Sequence, residues 1–564
     1  MIEIDRIYKN YFGIDQPYSH QKEIWNAALD YKFPLIVKAP TGSGKTEGII
    51  APFLYQFVKN DFFIAPRLIY VLPMRVLADS IALRIQGYAQ NISRNISVGV
   101  QHGETPNVPF FMEDIVVTTL DQFIYGYVRA SHQVGHHVDI PAGAIASSLV
   151  VFDEAHMYRD GFTFSMMRAM FEILYKANIP FVVMTATMPQ SLEKSLFENI
   201  KLGESQKVVS RGFDLGTHLN ISIEKEPLYL NDKINISDTL LDKIKTKKTL
   251  IIFNQVKRAQ EFYKAIKERL NLKENKEIVL LHSRFTRKDR KEHEEVSLNI
   301  LPHKKSRQVI IPKGVGVVVS TQVLEAGIDF SAELLLTELA PADSLVQRAG
   351  RCARYRGEKG EMLIFPVGNE RGHLPYDRRH LEVTEEWLEE NKNFNIKDFF
   401  EVSKFVDILD YKADDYAARD SLIDLYEAVL YADSKPQNIQ VRENKSATLL
   451  VVDFALGIEE GKRRIKEKEK IKRAIQKTDI KANSIDVDIG IVWGLFKKKM
   501  IRWELIWKYN EEKRRNEIGI RDLLENNRNT ADKDPRIGPF RTYILESAFY
   551  DTSMGIKEDG SFII

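Results

Sequence analysis

Between residues 30 and 200, short apolar runs alternate with amphipathic stretches: LIVKAP, RLIYVLP, ISVGVQHG, DIVVTT, SLVVFDEAH and PFVVMTAT. Apolar runs of this length separated by helical-period segments predict a parallel, doubly wound sheet. A second series begins after residue 245 with TLIIFN, EIVLLHS, GVVVSTQV, ELLLTEL and EMLIFPV. Two tandem α/β lobes follow, with expected spans of 1–205 and 206–375. From about residue 376 the pattern turns mainly helical, so 376–480 reads as a helical linker or accessory region and 481–564 as a small C-terminal domain. No fixed-period repeat and no long Gly/Ser or Pro-rich linker interrupts the chain.

Length supports this division, since 564 residues exceed what one hydrophobic core sustains. A formal net charge of +2, from 81 basic and 79 acidic residues, restricts any nucleic-acid surface to a local patch. The single cysteine, Cys352, excludes a disulfide framework and a cysteine-cluster metal site, and is expected to pack rather than react. The start, MIEIDRIYKN, lacks the apolar core of a signal peptide, and no apolar run reaches the roughly 18 residues of a membrane span. A cytoplasmic location with no membrane partner is expected.

Two stretches carry chemistry. LIVKAPTGSGKTEG, residues 35–48, runs an apolar strand into a glycine-rich loop and then a helix. In such a loop Thr41, Gly42, Ser43 and Gly44 line a phosphate cradle, Lys45 reaches the β and γ phosphates, and the Thr46 hydroxyl binds Mg²⁺. The usual motif has glycine where this chain has Ala39. In SLVVFDEAH an apolar strand delivers Asp153 and Glu154 at its carboxyl end, where parallel sheets gather ligands. Asp153 suits a metal carboxylate and Glu154 a general base. The competing reading for the acids is a solvated helix cap.

With APTGSGKT, VLPMRVLADS, TTLDQF, DEAH, TATMP, IIFNQVKRAQ, STQVLEAGIDF and QRAGRCAR in order over residues 39–354, the chain resembles a superfamily 2 helicase of the DEAH type. Its YSHQ, TTLDQF, HSRFTRKDR, STQVLEAGIDF, QRAGRCAR and AFYDTSMGI resemble in particular the helicase of type I CRISPR interference. The resemblance implies two RecA-like lobes with ATP and Mg²⁺ bound between them. It implies that Gln21 reads the adenine edge, and that Gly327, Asp329 and Gln347 face the nucleotide. Arg351 and Arg354, with Arg348 beside them, become arginine-finger candidates, a pair three apart that shares one face if the segment is helical. Thr118 and Thr119, with Ser320 and Thr321, are implied to hold the phosphates of a nucleic-acid strand, although each could instead cap a helix. His156, Thr185 and Thr187 are implied to couple the nucleotide site to that strand.

The implied activity is 3′ to 5′ translocation on single-stranded DNA, acting with a guide-RNA surveillance complex. An HD nuclease domain is expected to be a separate polypeptide, because YSHQ begins at Tyr18 and no histidine follows His380. The cluster His132, His136 and His137 lacks an HD pattern and reads as a polar loop. Phosphate contacts do not distinguish deoxyribose from ribose, so a DEAH helicase serving RNA or DNA repair remains an alternative. An ATP-gated clamp that never unwinds is another, although it would not need an intact Glu154 and arginine pair. Trp493, Trp503 and Trp507, interleaved with Lys497, Lys498, Lys499 and Arg502, suit either a small core with a basic rim or a base-stacking platform. The charged run around Arg463 and Arg464 reads as an exposed helix.

Overall fold

The computed structural model describes residues 3–103, 105–210, 216–230, 233–305, 308–325, 328–368, 371–431, 439–441, 446–457, 467–510, 515–524, 537–539 and 541–557. The chain forms two compact units, Met1–Leu215 with Glu386–Glu443, and Gly216–Glu385 with Asn444–Ile564.

The first unit is built on an eight-stranded sheet. Its strands lie in the order Thr105–Pro106, Val98–His102, Ile115–Thr119, Arg67–Leu72, Ser148–Phe152, Phe181–Thr185, Leu35–Lys38 and Lys207–Val209. All pair in parallel except the first, which is antiparallel to its neighbour. The central strands Ile115–Thr119, Ser148–Phe152 and Phe181–Thr185 are buried at every position, which is why they read as unbroken apolar runs rather than alternating ones. All six strands expected from the first series are present.

In the second unit six parallel strands lie in the order Ile278–Leu281, Val317–Ser320, Thr249–Ile252, Leu334–Glu338, Lys359–Phe365 and His218–Ile223. A five-stranded sheet follows, ordered Ser484–Asp488, Ser446–Val452, Thr542–Glu546, Ile501–Asn510 and Arg515–Asp522.

The expected boundaries need three corrections. Residue 205 precedes a strand, Lys207–Val209, that completes the first sheet beside Leu35–Lys38, so that lobe continues past it. The division expected at 375 gives way to one at residue 385. Most of the supposed linker returns to the first unit. Helix Asp415–Leu430 buries Ala418, Leu425 and Ala428 in the same core as helix Gly161–Lys176, and Gln190 N–H donates to Asp407 at 2.8 Å. The boundary at 480 falls inside the five-stranded sheet, because Ser446–Val452 pairs with both Ser484–Asp488 and Thr542–Glu546. Strand partners far apart in sequence leave no local mark, whereas helices announce themselves.

Trp503 is 4% exposed within the core of that sheet, with the Arg502 guanidinium 4.4 Å from its ring centre. This is the packed-core alternative of the two readings. The Trp507 side chain and the run holding Arg463 and Arg464 lie outside the described residues.

Two motifs distant in sequence meet in the second unit. His282, of HSRF, accepts the Arg284 N–H on Nδ1 at 3.1 Å, so its proton sits on Nε2, which donates to the Met554 carbonyl at 3.0 Å. Tyr550 accepts the Thr286 N–H at 2.9 Å and donates to Asp289 at 2.6 Å. Gly555, at φ +77, passes so close that a Cβ would lie 2.6 Å from the Arg284 carbonyl oxygen. AFYDTSMGI is thus a strap clamped onto HSRF.

Burial, with the Arg284 charge adding to it, lowers the His282 pKa from 6.5 to about 3. Because the folded value lies below the unfolded one, stability is complete above pH 6.5 and falls as pH drops toward 3. The slope from this group is at most about 1.4 kcal/mol per pH unit. Urea unfolding at pH 7, 6 and 5 should show a shallower acid loss in His282→Gln than in the wild type. Equal slopes would remove His282 from the linkage.

Candidate active site

Lys45, Thr46, Asp153 and Glu154 come together at the carboxyl ends of Leu35–Lys38 and Ser148–Phe152, the two strands flanking Phe181–Thr185. Gly42 and Gly44 have φ of +80 and +78, left-handed conformations that bend the loop into the helix Lys45–Lys59. Thr41 and Gly42 are exposed, whereas Ser43, Lys45 and Thr46 are buried. The Lys45 ammonium donates to the carbonyls of Ala39 at 3.0 Å and Pro40 at 3.3 Å, across the mouth of the loop.

The acids follow at once after a buried strand. Asp153 is 5% exposed; burial first and the Glu154 charge second push its pKa up to about 6, while Lys45 and Tyr70 pull it down. Its Oδ1 accepts the Glu154 N–H at 2.9 Å. Glu154 has φ +54, a left-handed backbone that is costly for a residue with a Cβ, and such strain gathers at functional sites. Its Oε2 is buried without a hydrogen-bond partner and lies 3.5 Å from His156 Nδ1. The acids are therefore not a solvated cap.

His156 Nδ1 lies 3.1 Å from Thr185 Oγ1, which donates to the Thr187 carbonyl at 3.0 Å, so the imidazole must be the donor of the pair. The three residues expected to couple motifs are thus in one hydrogen-bonded chain, His156 to Thr185 to Thr187, with Glu154 Oε2 close to its head but not bonded to it.

Gln21 differs from expectation. Its amide oxygen accepts the Tyr18 N–H at 2.9 Å, its amide nitrogen donates to the Gly44 carbonyl at 2.9 Å, and the side chain is fully buried. The amide nitrogen braces the phosphate loop and the amide oxygen caps the start of helix Ser19–Leu29, so in this structure neither end faces outward to a base. Beside it, His20 contacts the Ser43 carbonyl at 2.9 Å and Ser210 Oγ at 3.2 Å, tying the loop to the end of Lys207–Val209.

The strand-contact hydroxyls divide in the same way in both lobes. Thr118 donates to the Gln101 carbonyl at 2.8 Å, and Ser320 donates to the Leu281 carbonyl at 2.7 Å. Each spends its only proton on the adjacent strand, so these two are structural. Thr119 and Thr321 are N-cap residues whose side chains make no cap bond, and both are buried, at 3% and 2% exposed.

The arginines also need correction. Helix Ala342–Ala349 ends before Arg351, so Arg351 and Arg354 do not share a helical face. Arg351 donates through three nitrogens to the carbonyls of Leu324, Glu325 and Ile328 at 2.8–2.9 Å. Arg348 is fully buried and bound to Glu325, Thr337, Asn254 and Tyr376, which makes it a brace for the lobe. Arg354 pairs with Asp329 at 2.7 Å. Burial would raise the Asp329 pKa, but the Arg354 guanidinium overrides it and holds the carboxyl low. Gln347 is half-buried on the helix, and Gly327 lies outside the described residues. Cys352 is buried against Gly360 as a packing residue.

Sequence reasoning missed a polar ring around Thr46. Tyr70 Oη is 2.6 Å from Asp153 Oδ2 and 3.2 Å from Thr46 Oγ1. Arg84 donates to Thr46 at 2.7 Å and lies 3.5 Å from Glu47, which accepts from Tyr88 at 2.8 Å. Tyr70 sits inside an apolar run and reads as core; nothing local flags it. Glu47, two residues beyond Lys45 on a buried helix face, is the one signal that was available.

Residues 18–195 match the DEAD/DEAH box helicase family, and residues 245–357 match the C-terminal part of the CRISPR-associated nuclease/helicase Cas3. The chain has a DEAD/DEAH helicase domain followed by a Cas3-like domain. A putative CRISPR-associated nuclease/helicase Cas3 of Methanocaldococcus jannaschii is 29% identical over 72% of this chain and 54% of its own length. The CRISPR-associated helicase Cas3 of Thermoproteus tenax is 31% identical over 63% of this chain and 59% of its own. The chain thus spans little more than half of these relatives. The ADP-bound Cas3 of T. fusca shares the fold, with a TM-score of 0.62 at 20% identity over 86% of this chain and 65% of that one. No helix among the described residues is long and apolar enough to cross a membrane, and no three His, Cys, Asp or Glu side chains gather there as a metal site.

In this Cas3-like domain the fully buried Arg348 and the partly buried Arg354 should respond differently to substitution. Arg348→Met strands Glu325 and should cost about 3–5 kcal/mol in urea unfolding. Arg354→Ala should cost less than about 1 kcal/mol, because its partner Asp329 is half exposed. Similar losses for both would contradict the division into brace and available cation.

Proposed function

We propose that the chain is an ATP-dependent translocase of single-stranded DNA in type I CRISPR interference. It works on the strand opened by a guide-RNA surveillance complex, moves 3′ to 5′, and leaves cutting to a separate HD nuclease. The observation that carries the nucleotide half is the convergence of Lys45, Thr46, Asp153 and Glu154 at one sheet edge. The CRISPR half rests on the Cas3 relatives and on TTLDQF, HSRF and STQVLEAGID in this chain. A surveillance complex captured before nicking includes a chain of similar fold, at 18% identity and a TM-score of 0.55.

The residues suit magnesium and ATP. Thr46 and Asp153 are hard oxygen donors on a buried wall, and a carboxyl whose pKa is pushed up to about 6 by burial and a neighbouring acid gains from a cation. Bound Mg²⁺ would neutralise developing phosphate charge. Lys45 exchanges its two loop carbonyls for phosphate oxygens. Glu154, whose buried Oε2 lacks a donor, accepts the proton of the attacking water. The water is held beside that oxygen, and the His156 imidazole, 3.5 Å from it, passes the change to Thr185 and Thr187.

For Arg351 to act as a finger it must release the carbonyls of Leu324, Glu325 and Ile328, and Arg354 must release Asp329. The γ phosphate is the anion able to compete for them. Thr119 and Thr321 then grip backbone phosphates without reading sequence.

Lys45→Ala should abolish ATP turnover while leaving nucleotide-free DNA binding largely intact; normal turnover in the folded variant would refute the site. Glu154→Gln should cut turnover by at least about 10²-fold yet tighten single-stranded DNA binding in ATP relative to no nucleotide. A native hydrolysis rate in that variant would remove Glu154 as the base. Strand displacement absent despite ATP turnover would favour the clamp instead.

A further inference from the structure

Tyr70 lies on Arg67–Leu72, paired beside Ser148–Phe152, with its ring fully buried and its hydroxyl between Thr46 and Asp153. A phenol keeps its proton at neutral pH and has only one to give. The carboxylate at 2.6 Å is the shorter and charged acceptor, so that proton belongs to Asp153 Oδ2. The contact at 3.2 Å is then made by the Thr46 hydroxyl donating to the Tyr70 oxygen.

The remaining capacity of both ligands follows from this assignment. Thr46 has given its proton to Tyr70 and one lone pair to Arg84, so a single lone pair is left. Asp153 has accepted Tyr70 on Oδ2 and the Glu154 N–H on Oδ1, so only lone pairs are left there too. Both oxygens can then only accept, from a cation or from a hydrogen-bond donor, and the hard-oxygen pair suits the Mg²⁺ of the reading above.

We propose that Tyr70 is the positioning residue of the metal site: its hydroxyl sets the rotamers of Thr46 and Asp153 together so that both present a free lone pair to Mg²⁺. This rests on the Mg-ATP reading above. Tyr70 never touches the nucleotide; it acts through the two ligands, as partners outside a metal's ligand shell orient those inside it. No local sequence pattern selects it, because the residue occupies one position of a continuous apolar strand.

The test is Tyr70→Phe in the full chain, a change that keeps the ring and deletes the hydroxyl. Binding of a fluorescent ATP analogue is titrated in EDTA and across a Mg²⁺ series, with thermal unfolding as the control for folding. Affinity in EDTA should stay within about twofold, whereas the Mg²⁺ concentration for half-maximal binding and turnover should rise about 10- to 100-fold. In an Asp153→Asn background the same substitution should change the Mg²⁺ requirement by less than about threefold, because the residue acts through that carboxylate. An unchanged Mg²⁺ requirement would overturn the assignment. So would an equal loss of binding with and without metal, which marks a packing residue, or full additivity with Asp153→Asn. Wild-type chain that binds no nucleotide in either condition would sink the ATP reading itself and the assignment with it. Wild-type binding whose metal dependence Tyr70→Phe leaves unmoved sinks the assignment alone.

Discussion

The first lobe is organised around one buried charge, the Asp153 carboxylate. A carboxylate taken out of water is expensive, and the protein meets that cost with donors from three directions: the Tyr70 hydroxyl, the Glu154 amide and the Lys45 field. Each donor constrains an element. Tyr70 ties strand Arg67–Leu72 to the residue after Ser148–Phe152, the Glu154 amide belongs to a left-handed turn, and Lys45 opens helix Lys45–Lys59. The site is thus rigid on its strand side, while the phosphate loop opposite is held by side chains, His20 and Gln21, that approach from a helix outside the sheet. A rigid acid wall facing a braced loop is what preorganised phosphate chemistry requires.

In the second lobe, arginines are held by carbonyls and by acids. Arg348 and Arg258 are both nearly inaccessible and both meet Glu325 or Glu338. Such pairs are costly to break, so they hold Glu325 and the end of strand Leu334–Glu338 in place. Arg351 and Arg354 sit further out, one on backbone carbonyls and one on an exposed carboxylate. Arg348 and Arg351 are both buried, and Arg354, paired with a half-exposed carboxylate, is the one of the three most open to solvent.

Repetition between the lobes is visible at the hydroxyl pairs. Thr118 and Ser320 each tie their strand to its neighbour with one short bond, and Thr119 and Thr321 each stand next in line at the start of a helical turn. The same backbone geometry at the end of a parallel strand produces the same division of labour. At the far end of the chain, the strap carrying Met554 closes over HSRF by a neutral histidine, a buried tyrosine and a glycine in a conformation unfavourable to other residues.

The sequence by itself determined the two parallel sheets and the acid pair, because a strand buried on both faces writes an unbroken apolar run and a phosphate loop writes glycines and a lysine at fixed spacing. Eleven such runs became strands of the two large sheets. What only the tertiary structure decided are the partnerships between residues remote in the chain. Whether Arg348, Arg351 or Arg354 is a brace depends on which carbonyls and carboxylates surround it, and QRAGRCAR carries no trace of that. Gln21 is a loop brace because its buried amide nitrogen donates to the Gly44 carbonyl while its oxygen caps the helix at Tyr18. The segment near 415–430 is core rather than linker because helix Gly161–Lys176 covers its apolar side, and the last strands join residue 446 across a gap in sequence that no periodicity spans. Tyr70 is the clearest case: in sequence it is one aromatic within RLIYVL, and only the folded sheet sets its hydroxyl between Thr46 and Asp153. Local pattern encodes burial and backbone shape, while hydrogen-bond partnership is a property of the assembled fold.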